Sequence, residues 1–158
     1  MEKLWAPWRT AYILGKPSKR CFICQIKATS SRDKKHLVLK RTPHSLAVLN
    51  LYPYNPGHLM VVPKRHVKNL TYLNDSELLD LFRLLNEMTK LVQKSLKPQG
   101  MNMGINLGKL AGAGVPGHVH VHLVPRWKGD SNFMPTIAGT KVVSESLEAV
   151  YGRLKKTK

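Results

Sequence analysis

The chain has 158 residues, enough for one domain with appended ends. Apolar residues make up 42%, an ordinary globular share, and no apolar run approaches the roughly 20 residues needed to span a membrane. The formal charge of +17 fits either an anionic partner (nucleotide phosphates, nucleic acid or a membrane surface) or a solvated basic surface, and no aromatic–basic interleaving of an RNA-binding kind is present. Residues 1–20 read as an arm, with Trp5, Pro7, Trp8, Tyr12 and Ile13 apolar but irregularly spaced. This arm either covers a neighbouring subunit or packs on its own chain. It lacks the continuous apolar segment of a signal peptide, so a cytoplasmic protein is expected. Residues 21–158 then form a single domain.

Residues 36–40 and 45–50 are strand candidates, the second carrying Leu46, Ala47, Val48 and Leu49. A turn-rich loop through Pro53, Pro56 and Gly57 leads to a third at 58–62, which predicts an antiparallel hairpin. Asn74 with Glu77 has the form of a capping box. Leu78, Leu81, Phe82, Leu85, Met88, Val92 and Leu96 follow at helical spacing, and Pro98 stops the helix. Residues 101–107 read as a strand, 108–117 as a glycine-rich loop, 118–124 as a strand, and about 144–154 as a second, shorter helix. Strands in hairpins around one inserted helix give an α+β domain.

The strongest motif lies in the segment 118–124. His118, His120 and His122 alternate with Val119, Val121 and Leu123, so on a strand the three imidazoles share one face. A row of rings is costly to bury unless each has a partner. Three readings follow: nucleophilic catalysis at phosphorus, a transition-metal site, or a structural row. The first is favoured over catalytic metal because the nearest downstream carboxylate is Asp130. The loop before the row contains Gly108, Gly112, Gly114 and Gly117, whose backbone N–H groups suit an anion. No Gly-Lys-Ser/Thr ends it, so it is not a Walker loop.

The segment 118–124 resembles the His-φ-His-φ-His-φ-φ signature of the histidine triad family, φ being apolar. Leu49-Asn50 and Asn55-Pro56-Gly57-His58, running on to His66, resemble the family's other signature. The flanks, Ala111 to Gly114 and Pro125-Arg126-Trp127, resemble the bacterial and archaeal branch described as diadenosine tetraphosphate phosphorylases. The resemblance implies a homodimer of α+β subunits, each a mostly five-stranded antiparallel sheet with one long and one shorter helix. It implies cleavage at a nucleotide α-phosphate with diadenosine polyphosphate as substrate. His120 matches the nucleophile, His122 the residue contacting phosphate oxygens and His118 one that orients the site. Asn50 matches the ribose-holding residue, His58 lies beside the nucleoside pocket, and Asn106 matches a phosphate- or leaving-group-contacting amide. Gly112 and Gly114 are expected to supply loop amides to the nucleotide. Related branches carry a Gln/Ser or Gln/Thr pair where this chain has Gly114 and Val115, which favours phosphate as the second substrate. The alternatives are a phosphoramidate or aminoacyl-adenylate hydrolase, a nucleotide-binding regulator without turnover, and a metallohydrolase.

Cys21 and Cys24 remain. Cys-x-x-Cys with two histidines elsewhere can hold structural zinc. The resemblance implies the set Cys21, Cys24, His66 and His118, with His36 and His44 as alternatives or surface residues. Two packed thiols or a redox pair are the other readings. Catalysis itself is expected to need no cofactor, and neither nucleic acid nor a membrane is an expected partner.

Overall fold

Five short strands build one sheet: β1 (Val38–Arg41), β2 (Ser45–Leu49), β3 (Leu59–Pro63), β4 (Gly100–Ile105) and β5 (Val121–Arg126). Their spatial order is β1-β2-β3-β5-β4, and every neighbouring pair is antiparallel. Helices α1 (Phe22–Ala28), α2 (Asp75–Leu96) and α3 (Leu147–Lys156) cover the sheet. This is a computed structural model that describes residues 21–130 and 144–157. The expected N-terminal arm lies outside the described residues.

The two faces of the sheet bury different partners. Ala47, Leu49, Leu59, Val61, Val121 and Leu123 point to one side, against Leu81, Leu84, Met88 and Val92 of α2 and Val150 and Leu154 of α3. Leu46, Val48, Met60 and Val62 point to the other, against Ile23 and Ile26 of α1. Strands β2 and β3 are therefore buried on both faces, which explains their unbroken apolar runs. Each fully buried aliphatic side chain contributes about 1.5–3 kcal/mol relative to exposure.

Helix α2 begins as expected. Asn74 Oδ1 accepts from the Glu77 N–H (3.0 Å), and Glu77 Oε2 accepts from the Asn74 N–H (2.9 Å). Lys97 ends the helix in the left-handed conformation, one residue before Pro98. Phe82, expected in the buried stripe, is exposed, and Leu84 fills the core instead.

Two further expectations change. Among the described residues there are three α-helices rather than two: α1 starts directly after Cys21, and its Ile23 and Ile26 are buried. The last strand spans 121–126, not 118–124, so His118 and His120 precede it. The reason is backbone pairing. The His118 N–H donates to Val115 O (3.1 Å) and the Val119 N–H to Val67 O (2.7 Å), so neither joins the ladder. Among the described residues no helix is long and apolar enough to cross a membrane.

The β2–β3 loop is held close to α2. Gly57 adopts φ +81°, and a Cβ there would approach Leu96 Cδ1 to 2.3 Å, so only glycine fits this turn. The α2 cap yields a stability test: Asn74→Ala removes the bond that Asn74 Oδ1 accepts from the Glu77 N–H, while the backbone N–H of residue 74 still donates to Glu77, and is expected to cost about 1 kcal/mol in urea unfolding, with turnover per folded molecule unchanged.

Candidate active site

His122 enters the sheet in a cross-strand row with Val48, Met60 and Gly104. That register places its ring on the α1 side of the sheet. Gly104 has no side chain to fill the space beside it, and a Cβ there would meet nothing within 4 Å. A cleft of about 320 Å³ opens here, lined by Tyr54, Asn102, Gly104, Asn106, His122 and Arg126 among others.

Hydrogen bonds to the backbone fix the proton on each imidazole. His120 Nδ1 lies 2.8 Å from the His118 carbonyl oxygen. A carbonyl only accepts, so Nδ1 carries the proton and Nε2 keeps its lone pair. His118 Nε2 lies 2.8 Å from Pro63 O and likewise donates, leaving the Nδ1 lone pair free. The Tyr54 N–H donates to His58 Nδ1 (3.1 Å), so His58 is protonated on Nε2. That Nε2–H donates to His122 Nδ1 at 2.9 Å, and His122 is therefore protonated on Nε2. The result is one ring with an available lone pair, His120, beside another with an available N–H, His122. Their centroids are 4.8 Å apart, edge to face.

Burial keeps the supporting rings neutral. Desolvation, then the nearby His122 and His120, lowers His58 to about 3. Desolvation, then His120, lowers His122 to about 4. His118 also falls to about 4, chiefly through desolvation, against the opposing pull of its bond to Pro63.

Cys21, Cys24, His66 and His118 form a second cluster, with one donor atom from each within 4.8 Å of all the others. His118 Nδ1 is 3.2 Å from His66 Nδ1, 3.4 Å from Cys21 Sγ and 3.7 Å from Cys24 Sγ, and His66 Nδ1 is 3.4 Å from Cys24 Sγ. Tetrahedral zinc with ordinary bond lengths holds N···N pairs about 3.3 Å and N···S pairs about 3.6 Å apart, so the donor set fits zinc. Burial, then the adjacent Cys21, raises the Cys24 pKa, and a divalent cation would stabilise its thiolate. His36 and His44 are not in the cluster.

Residues 31–129 match the family model described as the HIT domain. The chain belongs to the HIT, or histidine triad, family. It is 40% identical over 154 residues to an AP-4-A phosphorylase of Mycobacterium tuberculosis, spanning 93% of this chain and 79% of that one. It is 44% identical over 93 residues to the asymmetrical bis(5'-nucleosyl)-tetraphosphatase of Schizosaccharomyces pombe, spanning 59% of this chain and 50% of that one. Among solved structures, a zinc-bound histidine triad protein from Mycobacterium smegmatis superposes with a TM-score of 0.70 at 26% identity, covering 89% of this chain and 94% of that one.

Within this HIT domain the expected site residues are not equally placed. His118, His120, His122 and His58 converge as described. Asn106 lines the cleft, and its Nδ2 donates to Gly112 O at 3.4 Å. Asn50 stands one step back: its Nδ2 lies 3.3 Å from His58 Nε2, and its Oδ1 accepts from the Tyr52 N–H. The Gly112 N–H is committed to Lys109 O (3.0 Å) inside the loop, whereas Gly114 has no backbone partner among the described residues. Sequence reasoning missed Tyr54, whose ring stacks on His58 (centroids 4.7 Å apart) and whose N–H sets the His58 tautomer. It also missed buried Asn55, which donates to Pro125 O and Asp130 Oδ2 and ties the loop to the end of β5. The Tyr-Pro-Tyr-Asn-Pro turn was visible in sequence, but its partners were not.

Stability should follow the buried imidazoles. The folded pKa values of His58 and His122 lie below the ordinary 6.5, so the unfolded chain binds more protons in acid. Their contribution is fully present above about pH 6.5 and is lost as pH falls toward the folded values. For His58 alone the loss between pH 6.5 and 5 is about 2 kcal/mol. Urea midpoints measured from pH 7.5 to 5 should drop, and the slope should flatten in His58→Gln. An unchanged slope would remove His58 from this role.

Proposed function

We propose that this chain cleaves diadenosine polyphosphates at an α-phosphate through a covalent nucleotidyl-His120 intermediate. One observation carries the reading. The His120 Nδ1–H is held by the His118 carbonyl, which leaves the Nε2 lone pair available as a nucleophile near neutral pH. The similarity to a phosphorylase over nearly the whole chain supports the substrate class.

The Nε2 lone pair attacks the α-phosphorus, and the P–O bond to the leaving nucleotide breaks, its electron pair departing with that oxygen. With diadenosine tetraphosphate the leaving group is ATP. The Nδ1–H bond to the His118 carbonyl stabilises the positive charge that forms on the ring. The His122 Nε2–H donates to an equatorial phosphoryl oxygen, and the Gly114 amide, without a backbone partner among the described residues, would add a second donor. In the second step inorganic phosphate attacks the phosphoramidate, giving ADP and restoring neutral His120. His58 and Asn50 serve the nucleoside side and Asn106 the phosphate side. His118 orients His120 rather than touching substrate.

Cys21, Cys24, His66 and His118 would hold zinc, which supplies a structural tie between α1 and the segment carrying His118. We assign the chain as a cytoplasmic homodimer, with residues 1–20 an arm and 21–158 one domain. The place of β4 at the edge of the sheet among the described residues and its exposed Met103 support the pairing.

Two experiments test this. Purified protein given diadenosine tetraphosphate with inorganic phosphate should yield ADP and ATP. AMP without added phosphate would make water the acceptor, and no cleavage under either condition would sink the dinucleotide assignment. His120→Ala should lower turnover by more than about 10³-fold; retained turnover would overturn the nucleophile. Separately, metal analysis should find one zinc per chain, lost in Cys24→Ser together with part of the thermal stability.

A further inference from the structure

His122, Val124 and Arg126 occupy alternate positions on β5 and so share the face that carries the cleft. Four residues of strand separate the triad end of the cleft from Arg126 by about 13 Å. Arg126 is the charged residue among those lining the cleft. Its guanidinium is already built into a frame. Nε donates to Asp130 Oδ2 (2.7 Å), one terminal nitrogen to Asp130 Oδ1 (2.9 Å), and the other to Asn102 Oδ1 on β4 (2.8 Å). These bonds use three of the five N–H donors of arginine and leave one on each terminal nitrogen.

The Asp130 carboxylate is turned inward. Its side chain is 11% exposed against 43% for Arg126. It also accepts from Asn55 Nδ2 (2.6 Å) and the Trp127 N–H (3.2 Å), and the Arg126 bond, first among these contacts, holds its pKa far below the usual carboxylate range. Its lone pairs are thus committed to the frame, whereas Arg126 keeps one N–H on each terminal nitrogen on a side chain that is 43% exposed. A planar fork with two fixed donors matches two oxygens of one phosphate better than a mobile ammonium does.

We propose that Arg126, braced by Asp130 and Asn102, binds a distal phosphate of the leaving half of the substrate and so sets a preference for long polyphosphate chains. The inference rests on the reading given above. The triad cuts at the near end of the cleft, and the chain beyond the scissile bond runs along β5 to the guanidinium. A substrate whose leaving group has no phosphate never reaches it.

The test compares three substrates: diadenosine tetraphosphate, adenosine 5′-tetraphosphate, and the p-nitrophenyl ester of AMP. Arg126→Gln should raise KM about tenfold for both tetraphosphates and leave KM for the nitrophenyl ester within twofold of the wild-type value. Arg126→Lys should behave as Arg126→Gln does, because it keeps the charge and loses the fork. Asn102→Ala leaves the Asp130 pair intact and should shift the tetraphosphates about threefold in the same direction. Equal changes on all three substrates, or on none, overturn the proposal. Full rescue by lysine overturns the fork, and an effect confined to the dinucleotide overturns the phosphate assignment in favour of the second nucleoside. If wild-type protein cleaves the nitrophenyl ester but not the tetraphosphates, this inference fails while the His120 chemistry stands. If it cleaves none of the three, the functional reading itself fails, and this inference with it.

Discussion

Three backbone groups decide which nitrogen of each imidazole carries its proton, and the rest of the site depends on that decision. The Pro63 carbonyl takes the His118 Nε2–H, the His118 carbonyl takes the His120 Nδ1–H, and the Tyr54 N–H points at His58 Nδ1. His122 follows from His58. Reversing any one tautomer would set lone pair against lone pair, or N–H against N–H, in a buried place. An unsatisfied buried group costs about 1–3 kcal/mol, enough to favour one arrangement strongly. The backbone positions are in turn set by the β3–β5 pairing and by the β2–β3 turn, so the sheet and the chemistry are one construction.

His118 joins the two clusters. Its Nδ1 faces the cysteines and His66, its Nε2 is spent on Pro63, and its carbonyl holds the nucleophile candidate. Helix α1 has seven residues and no side-chain cap at its N-terminus. Such a helix is far below the length that is stable alone, so it depends on Ile23 and Ile26 in the core and on the anchorage of Cys21 and Cys24. The cluster therefore fastens a weak element to the backbone segment that orients His120. Outside the ladder, the His118 N–H bonds to Val115 O while its Nδ1 meets Cys21 and Cys24.

Much of this was legible in the sequence, for identifiable reasons. Strands β2 and β3 are continuous apolar runs because both faces are covered, and α2 announces itself by Asn74, Glu77 and its buried stripe. The histidine signature and the four-residue donor set of the second cluster were also readable. Helix α1 was not, because its seven residues carry only two core side chains and its cysteines draw attention to chemistry. The start of β5 was misplaced by three residues because alternation of side chains does not reveal that Val119 bonds to Val67 instead of to a neighbouring strand. The frame of Asn55, Asn102, Arg126 and Asp130 was invisible for a different reason. Its members come from a turn, an edge strand and the end of β5, and only the folded sheet brings them together. Gly112 looked like an anion donor by type, yet its amide closes the loop's own turn.

The basic charge and the neutral histidines belong to one electrostatic solution. A nucleophilic imidazole must be unprotonated, and a protonated ring would be the simplest local attraction for a polyphosphate. The two demands conflict if one group serves both. Here burial lowers His58, His118 and His122 well below neutrality, so the triad end of the cleft offers donors and a lone pair but little net charge. Attraction must then come from elsewhere. The surplus of lysine and arginine, +17 over the chain, supplies a long-range field that raises the local concentration of an anion. Lys27 also adds to the lowering of His118, since a like charge opposes the charged form. A basic surface therefore recruits the substrate while burial holds the supporting rings neutral, so the two demands fall on different groups.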